Sequence, residues 1–264
     1  MTLRSWYEKY GLLLNRSLSI FLGLALWQVV AVEIIRDPGI LVSPLVVIQQ
    51  GYEFLFVTGE LLPHVVVSFR EFLIGYVVSV LVGIPLGFLM ALSPGLRDVV
   101  NPWVTALYST PRIAFAPILV LWFGIGISSK VAIIFSGCIF PILINSFYGI
   151  RSVDRTFVEL AQAFRLRKRD LFFKIMIPGS LPYLLAGLRL AVGRGLVGVA
   201  IAEWFGANAG LGFIVYMAGQ TFNIPLLFVG ICLFALMGIL SFEVLRRIES
   251  AVAPWQSGRE MRRE

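Results

Sequence analysis

Residues able to do chemistry are scarce in this chain. Its 264 residues include one histidine and two cysteines, whereas catalysis needs a nucleophile, a base and an orienting group brought together. His64 follows Pro63 at the start of an apolar run and reads as an interfacial residue. Cys138 and Cys232 lie inside apolar runs and read as small core residues, with no disulfide framework. No cluster of His, Cys and carboxylates has metal-ligand spacing. The lysines Lys9, Lys130, Lys168 and Lys174 close no glycine-rich phosphate loop of the Gly-Lys-Ser/Thr kind. What remains is electrostatic. Arg112, Arg189, Arg194 and Glu203 sit within or at the ends of long apolar runs, where a charge is costly and faces protein or water.

The apolar runs are the elements that must position those charges. Apolar residues make up 58% of the chain and charged residues 14%, against about 45–50% and about 25% in soluble domains. A soluble fold of this length cannot hide so many apolar side chains, so lipid is the solvent for much of the surface. The runs are long and continuous rather than short and alternating, which selects helices over a β-barrel. The fold class is therefore an all-α polytopic membrane protein. The net charge of +7 fits the basic cytoplasmic loops of such proteins and does not indicate nucleic acid.

The first run, 18–35, is too long for a signal-peptide core and has no small-residue cleavage site after it, so it is the first span. Pro44 opens an amphipathic stretch to residue 56 that lies near the far surface. The second span is 63–92, followed by a turn at 93–98. The third, 99–123, is broken by Pro102, Pro111 and Pro117. Such breaks are tolerated only where protein or water satisfies the freed backbone groups, so this span faces other protein or a pathway. A tight turn at 124–130 leads to the fourth span, 131–150, with Pro141 inside it. The fifth, 181–205, carries Gly187, Gly193, Gly195 and Gly198, and a polar glycine-rich turn follows at 206–213. The sixth is 224–244.

Between the fourth and fifth spans lies ELAQAFRLRKRDLFFKIMIPGSLP, residues 159–182. Leu160, Phe164, Leu171 and Ile175 fall near one helical face, with the charges around the others. Pro178 and Pro182 end it before the next apolar run. The pattern predicts a short amphipathic helical hairpin at the membrane surface. Six spans put both termini on one side. Sixteen of the 22 basic residues fall in the N-terminus, the 93–98 turn, the 151–178 segment and the tail, while the opposite loops hold Arg36 and Lys130. The excess places the termini and the 151–178 segment in the cytoplasm.

Within that segment Glu159, Ala161 and Pro178 stand at the spacing of the EAA motif of ABC-importer membrane subunits. The stretches LWFGIG (121–126), FPILINSFYGIRSVD (140–154), PGSLPYLLAGLRLAVG (178–193) and AEWFGANAGLGFIV (202–215) are similar to permeases of the nitrate/sulfonate/taurine type, a likeness that runs over about 60–250. The resemblance implies a type I importer permease in the bacterial inner membrane, with six transmembrane helices and cytoplasmic termini. It implies one domain over 1–264, with a core at 60–250 and a coupling loop at 151–180. The implied partners are a second copy in a homodimer, two cytosolic ATPase subunits that bind ATP and magnesium, and an extracytoplasmic solute-binding protein. The chain itself would be non-catalytic and hold no cofactor. The solute class spans sulfonates, nitrate, taurine-like anions and vitamin precursors.

By the same resemblance, Glu159, Ala161, Ala163, Arg165, Leu166 and Pro178 form the ATPase-coupling set. Glu159 would anchor the loop through helix-end amides or a basic group across it. Ala161 and Ala163 are small where a partner surface presses, and Pro178 and Pro182 set the angle at which the loop leaves the membrane. Three positions depart from the motif. Arg165 stands where a glycine is usual, Leu160 replaces an alanine, and Arg167 replaces a small polar cap. An arginine at the glycine position must turn with negative φ or bear strain.

The intramembrane charges carry the pathway expectation. At ~1.5 Å per residue, Arg112 and Arg194 each lie roughly 20 Å from the cytoplasmic end, and Arg189 roughly 12 Å. Two deep arginines at one depth, doubled in a dimer, would make a positive ring favouring an anion. The alternative is that each bonds helix carbonyls freed by proline and glycine, which the Gly-x-Arg match favours for Arg189. Glu203 either closes an external gate or pairs locally at its helix end. Glu33, Glu71 and Arg70 are expected at the external interface, snorkelling to water. Two rivals remain. An ion-driven secondary transporter would show more spans and mid-membrane carboxylates, and a membrane enzyme would show convergent catalytic groups.

Overall fold

The computed structural model describes residues 3–253, which form helices and short turns. Among them, five helices are long and apolar enough to cross a membrane, and a bent pair counted as one makes six. The chain divides into two compact units, Met1–Pro63 with Ile214–Cys232, and His64–Phe213 with Leu233–Glu264.

In the first unit, α1 (Leu3–Val29) continues through a π turn, Val30–Ile35. Arg36 ends it in the left-handed region at φ 56, its N–H donating to Ala31 O at 3.1 Å. α2 (Pro44–Tyr52) begins on a proline, which fits the first helical turn because its missing N–H would be unpaired there anyway. Trp27 ties the two together: its indole N–H donates to Val42 O at 3.0 Å, and its ring packs 5.7 Å from that of Phe228.

The second unit is built on α3 (Leu61–Leu92), α4 (Pro94–Ser109), α5 (Ala116–Phe123) and α6 (Ile127–Arg151), then α7 (Arg155–Ala163), α8 (Lys168–Leu171) and α9 (Ile177–Trp204). α10 (Leu211–Gln220) and α11 (Ile224–Val252) follow in the chain, each divided between the units because Ile214–Cys232 belongs to the first. The centre of the second unit is the α6–α9 pair. A Cβ on Gly187 would come 2.9 Å from Pro141 O, so glycine is what lets the two backbones approach. Phe72, Ile134, Cys138, Ile142, Val192 and Val199 close the core around that seam.

Two expectations about proline change here. The third span breaks only at Thr110–Pro111, where α4 and the 113–123 helix meet at 92°. Pro102 lies inside α4, where it frees the carbonyl of the exposed Asp98, and Pro117 sits in the first turn of α5. Pro178 and Pro182 end nothing. The helix is continuous from Lys168 to Trp204. A π turn at Phe172–Met176 precedes Pro178, and that wider turn accommodates the carbonyl a proline leaves unpaired.

Candidate functional site

α9 presents Arg194, and the break between α4 and α5 presents the wall opposite. Together they enclose a cleft of about 440 Å³ lined by Arg194, Tyr108, Ser109 and Thr110, with Ile133 and Val197 among its apolar walls. Among the described residues no carboxylate lines it, and the Arg194 side chain has no hydrogen-bond or ion-pair partner. The sequence put Arg112 and Arg194 at one depth. The structure places Pro111 and Ile113, the neighbours of Arg112, in the Arg194 cleft, while the Arg112 side chain lies outside the described residues. Arg189 is placed elsewhere: its guanidinium pairs with Glu249 on α11.

At the far end of α9 a second constellation forms. The first N–H groups of α10 are taken up by three side chains: Gly210 N–H by His64 Nδ1 at 3.0 Å, Leu211 N–H by Ser68 Oγ at 2.7 Å, and Gly212 N–H by Glu203 Oε2 at 2.5 Å. Ser68 Oγ–H in turn donates to Glu203 Oε1 at 2.6 Å. These are the amides a helix start leaves without intrahelical partners, here satisfied by side chains from α3 and α9. Gly210 has φ +120, and a Cβ there would run into the Glu203 carboxylate, so both backbone and space demand glycine. Glu203 is 1% exposed. Its pairing reaches across the fold as well as along its own chain.

Glu71 corrects the expectation of snorkelling. It is buried, and its Oε1 accepts from Lys130 Nζ at 2.7 Å. Lys130, read from sequence as a turn residue, lies in α6, which starts at Ile127. That earlier start turns the ammonium into the bundle, where it needs a counter-charge. Glu71 and Glu203 are thus carboxylates buried within α3 and α9. Glu33 and Arg70 are exposed as expected. The missed signal was His64, Ser68 and Glu71 at i, i+4 and i+7, one polar face inside an apolar run.

On the cytoplasmic segment, Asp154 caps α7, its Oδ1 accepting Thr156 N–H at 2.9 Å. The hydrogen bonds from Thr156 hold that carboxyl below the usual carboxylate range. Glu159 is exposed and, among the described residues, meets neither of the internal partners expected for it. Ala163 and Leu166 are also exposed. Ala161 is 3% exposed: it is small because its own chain packs over it. The same helix turns Phe157 and Leu160 outward, and Phe164, just past its end, is exposed as well. Arg165 takes the left-handed conformation at φ 53, and Leu166 N–H reaches back to Ala161 O at 2.9 Å, the 6→1 bond of a Schellman cap. The arginine thus keeps the backbone shape that glycine would supply. Arg167 has the extended backbone of an N-cap but offers no side-chain cap to α8.

Residues 83–254 match the sequence profile of the family described as binding-protein-dependent transport system inner membrane component. The chain belongs to that family. It is a permease subunit of an ABC importer, a multi-pass inner-membrane protein. The matched region holds the cleft, Glu203 and the whole cytoplasmic segment. The permease is 35% identical over 246 residues to the formylaminopyrimidine transport permease protein ThiX of Halalkalibacterium halodurans, covering 92% of this chain and 96% of that one. It is 29% identical to the taurine transport system permease protein TauC of Escherichia coli, covering 92% and 91%. In fold it is similar to an inward-facing structure of the MetNI methionine ABC transporter, with a TM-score of 0.63 at 21% identity over 73% of this chain and 95% of that one. The likeness is one of fold, that of a type I importer permease, and the family match and the permease relatives do not favour an ion-driven transporter.

Proposed function

We propose that two copies of this permease form the solute pathway, that an extracytoplasmic binding protein delivers the solute, and that two cytosolic ATPase subunits each receive one 151–180 segment. ATP and magnesium bind those subunits, and the permease performs no chemistry. The observation that carries this reading is the outward apolar face of α7. Phe157 on α7 and Phe164 just past its end are 59% and 78% exposed and flanked by basic residues, a surface that needs a protein partner rather than lipid. Glu159, Ala163, Arg165 and Leu166 surround it as the polar and small parts of that contact.

The continuous helix from Lys168 to Trp204 gives the coupling its physical form. One rigid rod runs from the cytoplasmic segment, past Arg194 in the cleft, to Glu203 at the α10 clasp. Closing of the ATPase dimer would carry the segment inward and tilt the rod, so cleft and clasp move with it. Arg112 and Arg194 belong to the pathway, Arg189 holds α9 to α11, and Glu203 holds the external end shut. The solute is small. ThiX and TauC, by their names, serve an aminopyrimidine and a sulfonate, and both classes are open to this chain on likeness alone.

Glu159→Lys, or deletion of 159–170, leaves the permease inserted but abolishes uptake by the reconstituted importer and uncouples its ATP hydrolysis. Uptake that persists in either variant removes the coupling role.

A further inference from the structure

The clasp at the far end of α9 holds more negative charge than its partners answer. Glu71 on α3 and Glu203 on α9 are both buried, and the two carboxyls lie within hydrogen-bonding reach of each other. One buried cation serves both: Lys130 on α6, whose Nζ donates to Glu71 Oε1 at 2.7 Å. Arg70 on α3 is exposed, so water answers its charge. His64 accepts Gly210 N–H on Nδ1, which leaves its ring neutral. Ser68 brings a hydroxyl, and the start of α10 brings amides. Donors run short at the same place. Glu203 Oε1 accepts Ser68 Oγ–H and Oε2 accepts Gly212 N–H, but Glu71 Oε2 is buried and, among the described residues, meets no donor. A buried acceptor left without a donor is costly, and two close carboxyls shut away from water do not both ionise against a single ammonium.

We infer that the clasp is a proton-binding site: one proton, shared by the Glu71 and Glu203 carboxyls, is held while the external end is shut and is released to the outside when it opens. The proton supplies the donor that Glu71 Oε2 lacks, and it balances two carboxylates against one ammonium. It belongs to the pair rather than to either residue. Opening separates α3 from α9 and lets water onto both carboxyls, which then ionise as ordinary carboxylic acids do at neutral pH. The shut state therefore binds one proton more than the open state. Where the shut pair keeps that proton and the open pair has lost it, each unit of rising pH favours opening by about tenfold. Acid outside tightens the clasp and alkali loosens it. The proton leaves and returns on one side of the membrane, so it sets the pH range of the gate and drives no transport. The inference rests on the permease reading, which makes this end the external one, and adds a ligand to it.

The test follows the clasp in the full-length permease in phosphatidylcholine nanodiscs. Hydrogen exchange of the peptide holding the 210–212 amides, corrected for the intrinsic pH dependence of exchange, gives the opening equilibrium. From neutral to alkaline pH it is expected to rise by up to about tenfold per unit, while amides of the α6–α9 seam at 138–142 do not follow. Infrared spectra at neutral pH are expected to show a carboxylic-acid C=O stretch that Glu71→Gln and Glu203→Gln each remove. Glutamine keeps the size of glutamate and offers an amide N–H where the proton was, so each variant keeps the clasp shut and loses the pH slope. Opening of the native protein that ignores pH, absence of the acid band, or a slope unchanged in the variants overturns the proposal. The native slope and band decide it even where a variant does not assemble. Opening that grows on acidification assigns the titration to His64, whose Nδ1 cannot accept once protonated, and overturns it too. So does protection that follows sodium at fixed pH, which puts a metal cation in place of the proton. Failure of the permease reading shows separately, as an importer complete with ATPases and binding protein that takes up nothing, whatever the exchange rates.

Discussion

Arg165 shows how one residue can break a motif and keep its shape. Its φ of 53 lies where L-residues other than glycine lose roughly 1–2 kcal/mol, and the cap bond from Leu166 to Ala161 is made regardless. Arg165→Gly relieves that strain and returns part of the gain as unfolded-chain entropy. The net is expected to be a stabilisation of about 1 kcal/mol, read as a raised thermal midpoint of the purified permease. A lowered midpoint would mean that the guanidinium makes a contact worth more than the strain. The sequence identified this position as exceptional, and it left open which of two turns the arginine takes. Backbone angle at a single residue is set by whether the flanking helices leave room to choose, which is a tertiary matter.

At the scale of elements, helix periodicity found the spans, and proline misled twice in the same direction. Pro178 and Pro182 look like stops, yet the helix runs through both from Lys168 to Trp204. The π turn Phe172–Met176 inserts one extra residue into the helical winding. Inserting one alanine after Ile177, where the winding is ordinary, would rotate everything on the cytoplasmic side by about 100° relative to α9. The Phe157, Leu160 and Phe164 face would then point away from its partner. Such a variant is expected to insert and bind solute normally while its uptake falls at least about tenfold, a loss near 1.4 kcal/mol in coupling. Unchanged uptake would show that the π turn is a soft joint and not a fixed register.

At the scale of the whole molecule, the question is which charges meet. Glu71 and Lys130 are 59 residues apart and join α3 to α6. Their side chains are 5% and 11% exposed, so removing one partner leaves the other buried and unpaired. Lys130→Met is expected to cost about 3–5 kcal/mol, and adding Glu71→Leu to recover most of it, because two buried charges have been exchanged for two apolar side chains. Thermal or denaturant unfolding of the single and double variants measures both. A double variant as unstable as the sum of the singles would show that the two residues do not share one interaction.

The sequence by itself determined the solvent, the number of spans, their sidedness, the cytoplasmic segment and the family. Each of these is a sum over many residues: apolar content, the count of basic residues on either side of the spans, and a set of motifs spread over residues 121–215. Errors in single residues average out of such sums. Only the tertiary structure decided that Arg194 stands in a cleft with no partner among the described residues while Arg189 pairs with Glu249, that Glu71 is buried, and that His64, Ser68 and Glu203 together hold the first amides of α10. Those facts depend on the rotation and depth of one helix against another. A few ångströms or one residue of register turns a side chain from lipid to cleft to ion pair, and nothing in the local pattern of apolar residues fixes that choice.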